Sequence, residues 1–201
     1  MRVIGLTGGI ACGKSTVSHQ LHEEYGAVIL DADVIAYELA KPGNTLWSAF
    51  ISRYGKDRIS QGDGTLNRSA VSEIVFRDPK EKQWMDETAH PMIRQKLLEE
   101  LANYRNMERQ VVVLDVPLLF EAGWETLSTE VWVVYVKAEI QLRRLMERNG
   151  ITEEMARTRI AAQMSLEEKK KRADIVIDNS GSREETMTQV REAFARLHAG
   201  T

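Results

Sequence analysis

Residues 8–16 read Gly-Gly-Ile-Ala-Cys-Gly-Lys-Ser-Thr and put Gly8, Gly13, Lys14 and Ser15 in the spacing G-x-x-x-x-G-K-[ST]. The spacing has a chemical reason. Glycines let the chain curl so that successive N–H groups face phosphate oxygens, and a helix that follows aims its positive end at the same anion. On this reading Gly8, Gly9, Ala11, Cys12, Gly13, Lys14, Ser15 and Thr16 wrap the phosphates of a nucleotide. Lys14 reaches the β- and γ-phosphates, and the Ser15 hydroxyl takes a place on Mg²⁺. Cys12 lies beside Lys14 near a helix N-terminus, a setting that lowers a thiol pKa and predicts a reactive cysteine.

The flanking elements suit such a loop. Val3-Ile4-Gly5-Leu6 predicts a short buried strand before it; Val17, Leu21 and Tyr25 then fall at helical spacing, with Gly26 as a stop signal. Ala27-Val28-Ile29-Leu30 predicts a second strand ending at Asp31-Ala32-Asp33, and carboxylates at such strand ends sit where open α/β sheets bind ligands. Either acid could instead cap the helix predicted over 34–40. Helical patterns then cover 46–54, 69–76 and 79–105, a block too large for a simple crossover, which predicts a subdomain for a second substrate. His90-Pro91 interrupts the longest pattern and predicts a kink; by composition alone His90 reads as a packed or capping histidine. Val111-Val112-Val113-Leu114 is the strongest strand, and Asp115 at its end suits a Mg²⁺-associated carboxylate or a simple sheet cap. Val116-Pro117-Leu118-Leu119-Phe120-Glu121 follows as an apolar turn suited to a pocket wall. Strands over 131–136 and 175–177 and a last helix from Arg183 to about His198 complete the pattern. Between those strands, residues 137–174 are dense in charge. Arg144 and Arg148 share a helical face, as in arginine-bearing flaps that close over a migrating phosphoryl group; Lys169–Arg172 reads as a solvated face.

Composition sets outer bounds. The chain has 201 residues, 43% hydrophobic and 28% charged, enough for one domain with insertions. A net charge of −3 argues against a dedicated nucleic-acid binder. One cysteine allows neither an internal disulfide nor a cysteine zinc site. Met1-Arg2 runs straight into the first strand, and no apolar run approaches membrane-spanning length, so the expectation is a soluble cytoplasmic protein with no membrane partner.

Taken together, these segments resemble the dephospho-CoA kinases, which phosphorylate the ribose 3′-hydroxyl of dephospho-coenzyme A. The resemblance rests on Gly5-Leu6-Thr7-Gly8-Gly9-Ile10 leading into Gly13-Lys14-Ser15-Thr16, on Asp31-Ala32-Asp33, His90-Pro91 and Val116-Pro117-Leu118-Leu119-Phe120-Glu121, on Gln141 with Arg144 and Arg148, and on Asp178-Asn179-Ser180-Gly181. It implies an α/β, three-layer P-loop NTPase fold with a five-stranded parallel sheet, a helical acceptor-binding insertion and a helical lid. The boundaries expected are 1–33, 111–136 and 175–201 for the nucleotide core, 34–110 for the acceptor domain and 137–174 for the lid. It also implies ATP with Mg²⁺, Asp33 as the base on the acceptor hydroxyl, and Arg144 and Arg148 approaching the triphosphate. Asn179, Ser180 and Gly181 would pass near the adenine of ATP, and Thr7, His90, Leu119, Phe120 and Glu121 belong to the acceptor side. Asn149 stands where an aspartate is frequent, which puts an ion pair within the lid in question. Oligomeric state, monomer or weak oligomer, is left open.

Two other readings compete. A nucleoside or nucleoside-monophosphate kinase would share the core and the arginine flap. A regulatory GTPase needs D-x-x-G after the third strand and an N-K-x-D motif; Asp115-Val116-Pro117-Leu118 fails the first and the second is absent.

Overall fold

The computed structural model describes residues 1–107 and 110–199. Its contacts divide the chain into two units, residues 1–30 with 104–201, and residues 31–103.

The first unit is built on a sheet with strand order β2-β3-β1-β4-β5, formed by β1 (Arg2–Gly8), β2 (Val28–Asp31), β3 (Val111–Asp115), β4 (Glu130–Tyr135) and β5 (Ile175–Asp178). β1 runs parallel to β3 and β4, and β4 to β5. All five residues of β3 are buried, as expected for a strand covered on both faces. One face packs α1 (Lys14–Tyr25) and α10 (Arg183–Ala199) through Val17, Leu21, Val190, Phe194 and Leu197. The Tyr25 and Phe194 rings stack at 3.9 Å. Gly26 ends α1 in the left-handed conformation, φ +62°, donating its N–H to the His22 carbonyl. Between β4 and β5 come α7 (Ala138–Asn149), α8 (Glu153–Ala161) and α9 (Leu166–Lys171). Thr152 and Ser165 cap the last two by accepting from the Met155 and Glu168 N–H groups.

The second unit is helical: α2 (Ala32–Leu39), α3 (Thr45–Tyr54), α4 (Lys56–Ile59), α5 (Arg68–Arg77) and most of α6 (Pro79–Asn106). The 61–64 turn is closed by an isolated bridge between Ser60 and Leu66. α6 runs unbroken through Pro91, although the proline supplies no N–H for the carbonyl one turn back. The core gathers Leu46, Phe50 and Ile59 with Tyr54 and Trp84 around them. The Trp84 ring meets Phe50 and Tyr54 edge-on at 5.5 and 5.4 Å. Arg53 covers that cluster, its guanidinium 4.4 Å from the Trp84 ring centre, while donating two hydrogen bonds of 2.7 and 2.8 Å to Glu81.

The Arg53 fork, helped by the Tyr54 hydroxyl, holds the Glu81 carboxyl down to about 2, and burial with the same carboxylate pushes the Tyr54 phenol up to about 12. Because the folded pKa of Glu81 lies below its unfolded value, the cluster's contribution is complete above pH ~4.5 and is lost as pH falls toward 2. Glu81→Gln should therefore unfold at lower temperature than wild type at pH 7, with the gap closing between pH 4.5 and 2; thermal melts across that range measure it.

Candidate active site

The phosphate loop is fixed by what binds its carbonyls. The Ile10 carbonyl accepts from Gln141 Nε2 and the Cys12 carbonyl from Asn179 Nδ2, both at 2.8 Å. The Ile10 N–H donates to Gln163 Oε1 at 2.8 Å. A carbonyl engaged by an amide side chain does not present its oxygen to an anion, so the loop is left to face a ligand with N–H groups. Ala11 takes φ +61°, a conformation costing a non-glycine residue about 1–3 kcal/mol and typical of ligand-binding turns. Gly13 must be glycine: it has φ +88°, and a Cβ there would lie 2.1 Å from Asn179 Nδ2. At Gly9 a Cβ would lie 2.6 Å from Gln141 Nε2.

Beside the loop lies a cavity of about 530 Å³. The loop and α1 contribute Ala11, Gly13, Ser15, Thr16 and His19; α7 contributes Arg144; the segment after β5 contributes Asn179 and Gly181, and α10 Arg183. A second cavity of about 830 Å³ also touches Gly181 and is lined by Lys137, Ser180 and Gln189. Ser180 is held there by the Lys137 N–H, 3.0 Å from its Oγ. Phosphate-facing amides, two arginines and a neighbouring wider cavity suit a nucleotide. His19 and Arg183 were not anticipated. Only the placement of His19 four residues after Ser15, on the same helical face, could have flagged it.

Lys14 forms an ion pair with the buried carboxylate of Asp115. The Asp115 carboxylate and Ser15 hydroxyl are hard oxygen donors, a set that suits Mg²⁺ when phosphates and water complete its shell. Among the described residues, no three His, Cys, Asp or Glu side chains gather into a metal site held by protein alone.

Of the two acids, Asp31 takes the capping role that the sequence left open. Asp31 Oδ1 accepts from the N–H groups of Asp33 and Val34 at 2.7 and 3.2 Å, so Asp31 caps α2. Asp33 stands exposed in the first turn of that helix. Arg148 differs from Arg144: it is exposed, and its Nε donates to Asn149 Oδ1 at 3.0 Å, a bond to an uncharged amide where an ion pair was in question. His90 lies in α6, 3.9 Å from Asp86.

The expectations for Lys169 and Cys12 are corrected. Lys169 is fully buried, not solvated: its ammonium donates to the Pro117 carbonyl at 2.7 Å and to Glu121 at 3.0 Å, with the Gly8 carbonyl at 3.5 Å. Burial pushes its pKa down, against the pull of Glu121. Arg172 bonds Glu125 at 2.6 Å and covers the Phe120 ring at 4.3 Å. Thr7, Leu119 and Phe120 were expected to meet the acceptor. Thr7 is buried, its hydroxyl donating to the Pro117 carbonyl at 3.0 Å. Leu119 is fully buried and packs beneath Gly5; Phe120 is 6% exposed. Glu121 is engaged structurally, accepting from both Lys169 and the Met164 N–H. Cys12 is 1% exposed, and burial raises its thiol pKa more than Lys14 and the loop N–H groups lower it.

A phosphate loop between β1 and α1 on a sheet ordered 2-3-1-4-5, with arginine beside it, defines a P-loop phosphotransferase. A shikimate kinase from Bacteroides thetaiotaomicron shares this fold, with TM-score 0.56, 15% identity and 98% of both chains covered. A sequence model of the dephospho-CoA kinase family matches residues 2–185. A dephospho-CoA kinase from Symbiobacterium thermophilum is 47% identical over 200 residues, covering 100% of this chain and 83% of that protein. The solved dephospho-CoA kinase of Campylobacter jejuni superposes with TM-score 0.74 at 29% identity, covering 100% and 99% of the two chains. The chain belongs to the dephospho-CoA kinase family.

Two outcomes are expected. A thiol reagent should modify Cys12 slowly in the folded protein, with activity retained, and rapidly after denaturation; fast loss of activity in the native state would contradict the burial. Lys169→Met removes the buried donor shared by two carbonyls and a carboxylate and should cost about 1–3 kcal/mol in denaturant unfolding, whereas Lys171→Met, on the surface, should stay within about 0.5 kcal/mol of wild type.

Proposed function

We propose that this protein transfers the γ-phosphoryl group of ATP to the ribose 3′-hydroxyl of dephospho-coenzyme A, giving coenzyme A and ADP in the last step of coenzyme A synthesis. The family match over residues 2–185 carries this reading. The cavity beside Ser15, lined by Arg144 and Arg183, supports ATP as donor.

Transfer is direct and in line, without a phosphoenzyme, so positioning and charge stabilisation supply most of the rate. Loop N–H groups and Lys14 hold the phosphates, with Asp115 keeping the Lys14 ammonium beside the loop. Asp33 orients the acceptor hydroxyl and takes its proton late in the transfer. Arg144 spreads the charge that develops on the migrating group, and Arg148 is assigned to the same task as the 137–174 lid closes. Asn179, Ser180 and Gly181 support the adenine of ATP. His90, in the helical unit of residues 31–103, is assigned to acceptor binding, the role proposed for that unit as a whole. When bound, Mg²⁺ would be held by Ser15 and Asp115 and would neutralise part of the phosphate charge. The reading places the enzyme in the cytoplasm with these two small-molecule substrates and neither nucleic-acid nor membrane partners. Among the described residues no helix is long and apolar enough to cross a membrane.

A coupled assay for ADP release with dephospho-coenzyme A, followed by mapping of the phosphorylated hydroxyl, tests the function. Asp33→Asn should bind ATP normally and lose turnover by at least about 10²-fold. Near-normal turnover in that variant would remove Asp33 from the base role.

A further inference from the structure

The face of α2 that carries Asp33 continues into an unusual surface. One turn on, Tyr37 leaves 49% of its surface exposed. Two cations lie over its ring: the Arg68 guanidinium at 4.6 Å from the centre and the Lys41 ammonium at 5.2 Å. Asp33, Tyr37 and Lys41 follow at four-residue intervals, with Lys41 just past the helix end. Lys41 has an acidic partner in Glu38 at 2.7 Å, with both side chains about half exposed. Arg68 differs. It is exposed, and among the described residues it joins no ion pair. A guanidinium over an aromatic ring can still offer its N–H edge for a planar, two-pronged anion contact.

Spacing gives this surface a chemical identity. Four helical residues advance about 6 Å along the axis, a span of the order that separates the 3′-hydroxyl from the 5′-diphosphate on one ribose. Resting on the proposed reaction, with Asp33 at the 3′-hydroxyl, we infer that Arg68, seated on Tyr37 and assisted by Lys41, binds the 5′-diphosphate of the acceptor nucleotide. The diphosphate carries the charge that two cations on one ring would meet, and Lys41 can exchange Glu38 for it at little cost because that exposed pair is weak. The site discriminates for acceptors bearing a 5′-diphosphate ester over bare nucleosides.

Calorimetry with dephospho-coenzyme A, at low and at high salt, tests the assignment on the full-length protein. Charge-assisted bonds of this kind are each worth about 1.5–3 kcal/mol, so Arg68→Gln should weaken acceptor binding by about 10- to 100-fold and flatten its salt dependence. Arg68→Lys should restore part of both, because it keeps the charge and loses the fork. ATP affinity, measured separately, should stay at the wild-type value. Unchanged acceptor affinity in Arg68→Gln, a weakening that keeps the wild-type salt dependence, or an equal loss for ATP would each overturn the inference. Failure of the kinase reading looks different: wild-type protein would bind dephospho-coenzyme A with this Arg68 dependence and release no ADP.

Discussion

A phosphate loop must point its N–H groups one way, so its carbonyls must be satisfied the other way. Everything else in the larger unit answers to that demand. Gln141 takes the Ile10 carbonyl, Asn179 takes that of Cys12, and Lys169 approaches that of Gly8. The three donors come from α7, the end of β5 and α9. The local sequence of the loop specifies its curl, through Gly13 above all, but donors more than a hundred residues away keep it curled. Gln163 adds a grip on the Ile10 N–H. The segment proposed as a lid is therefore also part of the scaffold of the nucleotide site. Its closing motion would be confined to the α7 C-terminus and α8, between those anchors.

The second unit solves a different problem. It has few wholly buried residues, and it stiffens itself with rings and charges: Trp84 between Phe50 and Tyr54, Arg53 across the top, Glu81 beneath the guanidinium. The same device, an arginine lying on an aromatic ring, recurs at Arg68 and Tyr37 without the carboxylate. One instance is closed by an internal anion and the other is not. That contrast separates structure from a site open to ligand.

Much of this was legible in the sequence because it is local. The strands announced themselves as apolar runs, the phosphate loop by its spacing, the helices by period and by stop signals such as Gly26. What was not legible depended on competition between local and distant effects. Lys169 sits in a run of four cations, and nothing nearby in sequence says that Pro117 and Glu121 will bury it. At Cys12 the helix end and Lys14 lower the thiol pKa as the sequence suggests, but desolvation by the surrounding core outweighs them. Thr7 and Leu119 lie in motif segments and serve as the packing behind the motif. Asp31 and Asp33 could not be told apart until the backbone showed which one folds back on the helix N-terminus.

The grip on the loop has a consequence for how the protein is made. The nucleotide loop leaves the ribosome well before Gln141, Lys169 and Asn179, which lie more than a hundred residues further along the chain. Until they arrive, Ile10 and Cys12 have only solvent to bond, and β1 lacks β4 as a neighbour. Since chain synthesis runs at about 5–20 residues per second, the half-built enzyme spends several seconds unable to hold a nucleotide. ATP can act as a folding ligand only once Asn179 has left the ribosome.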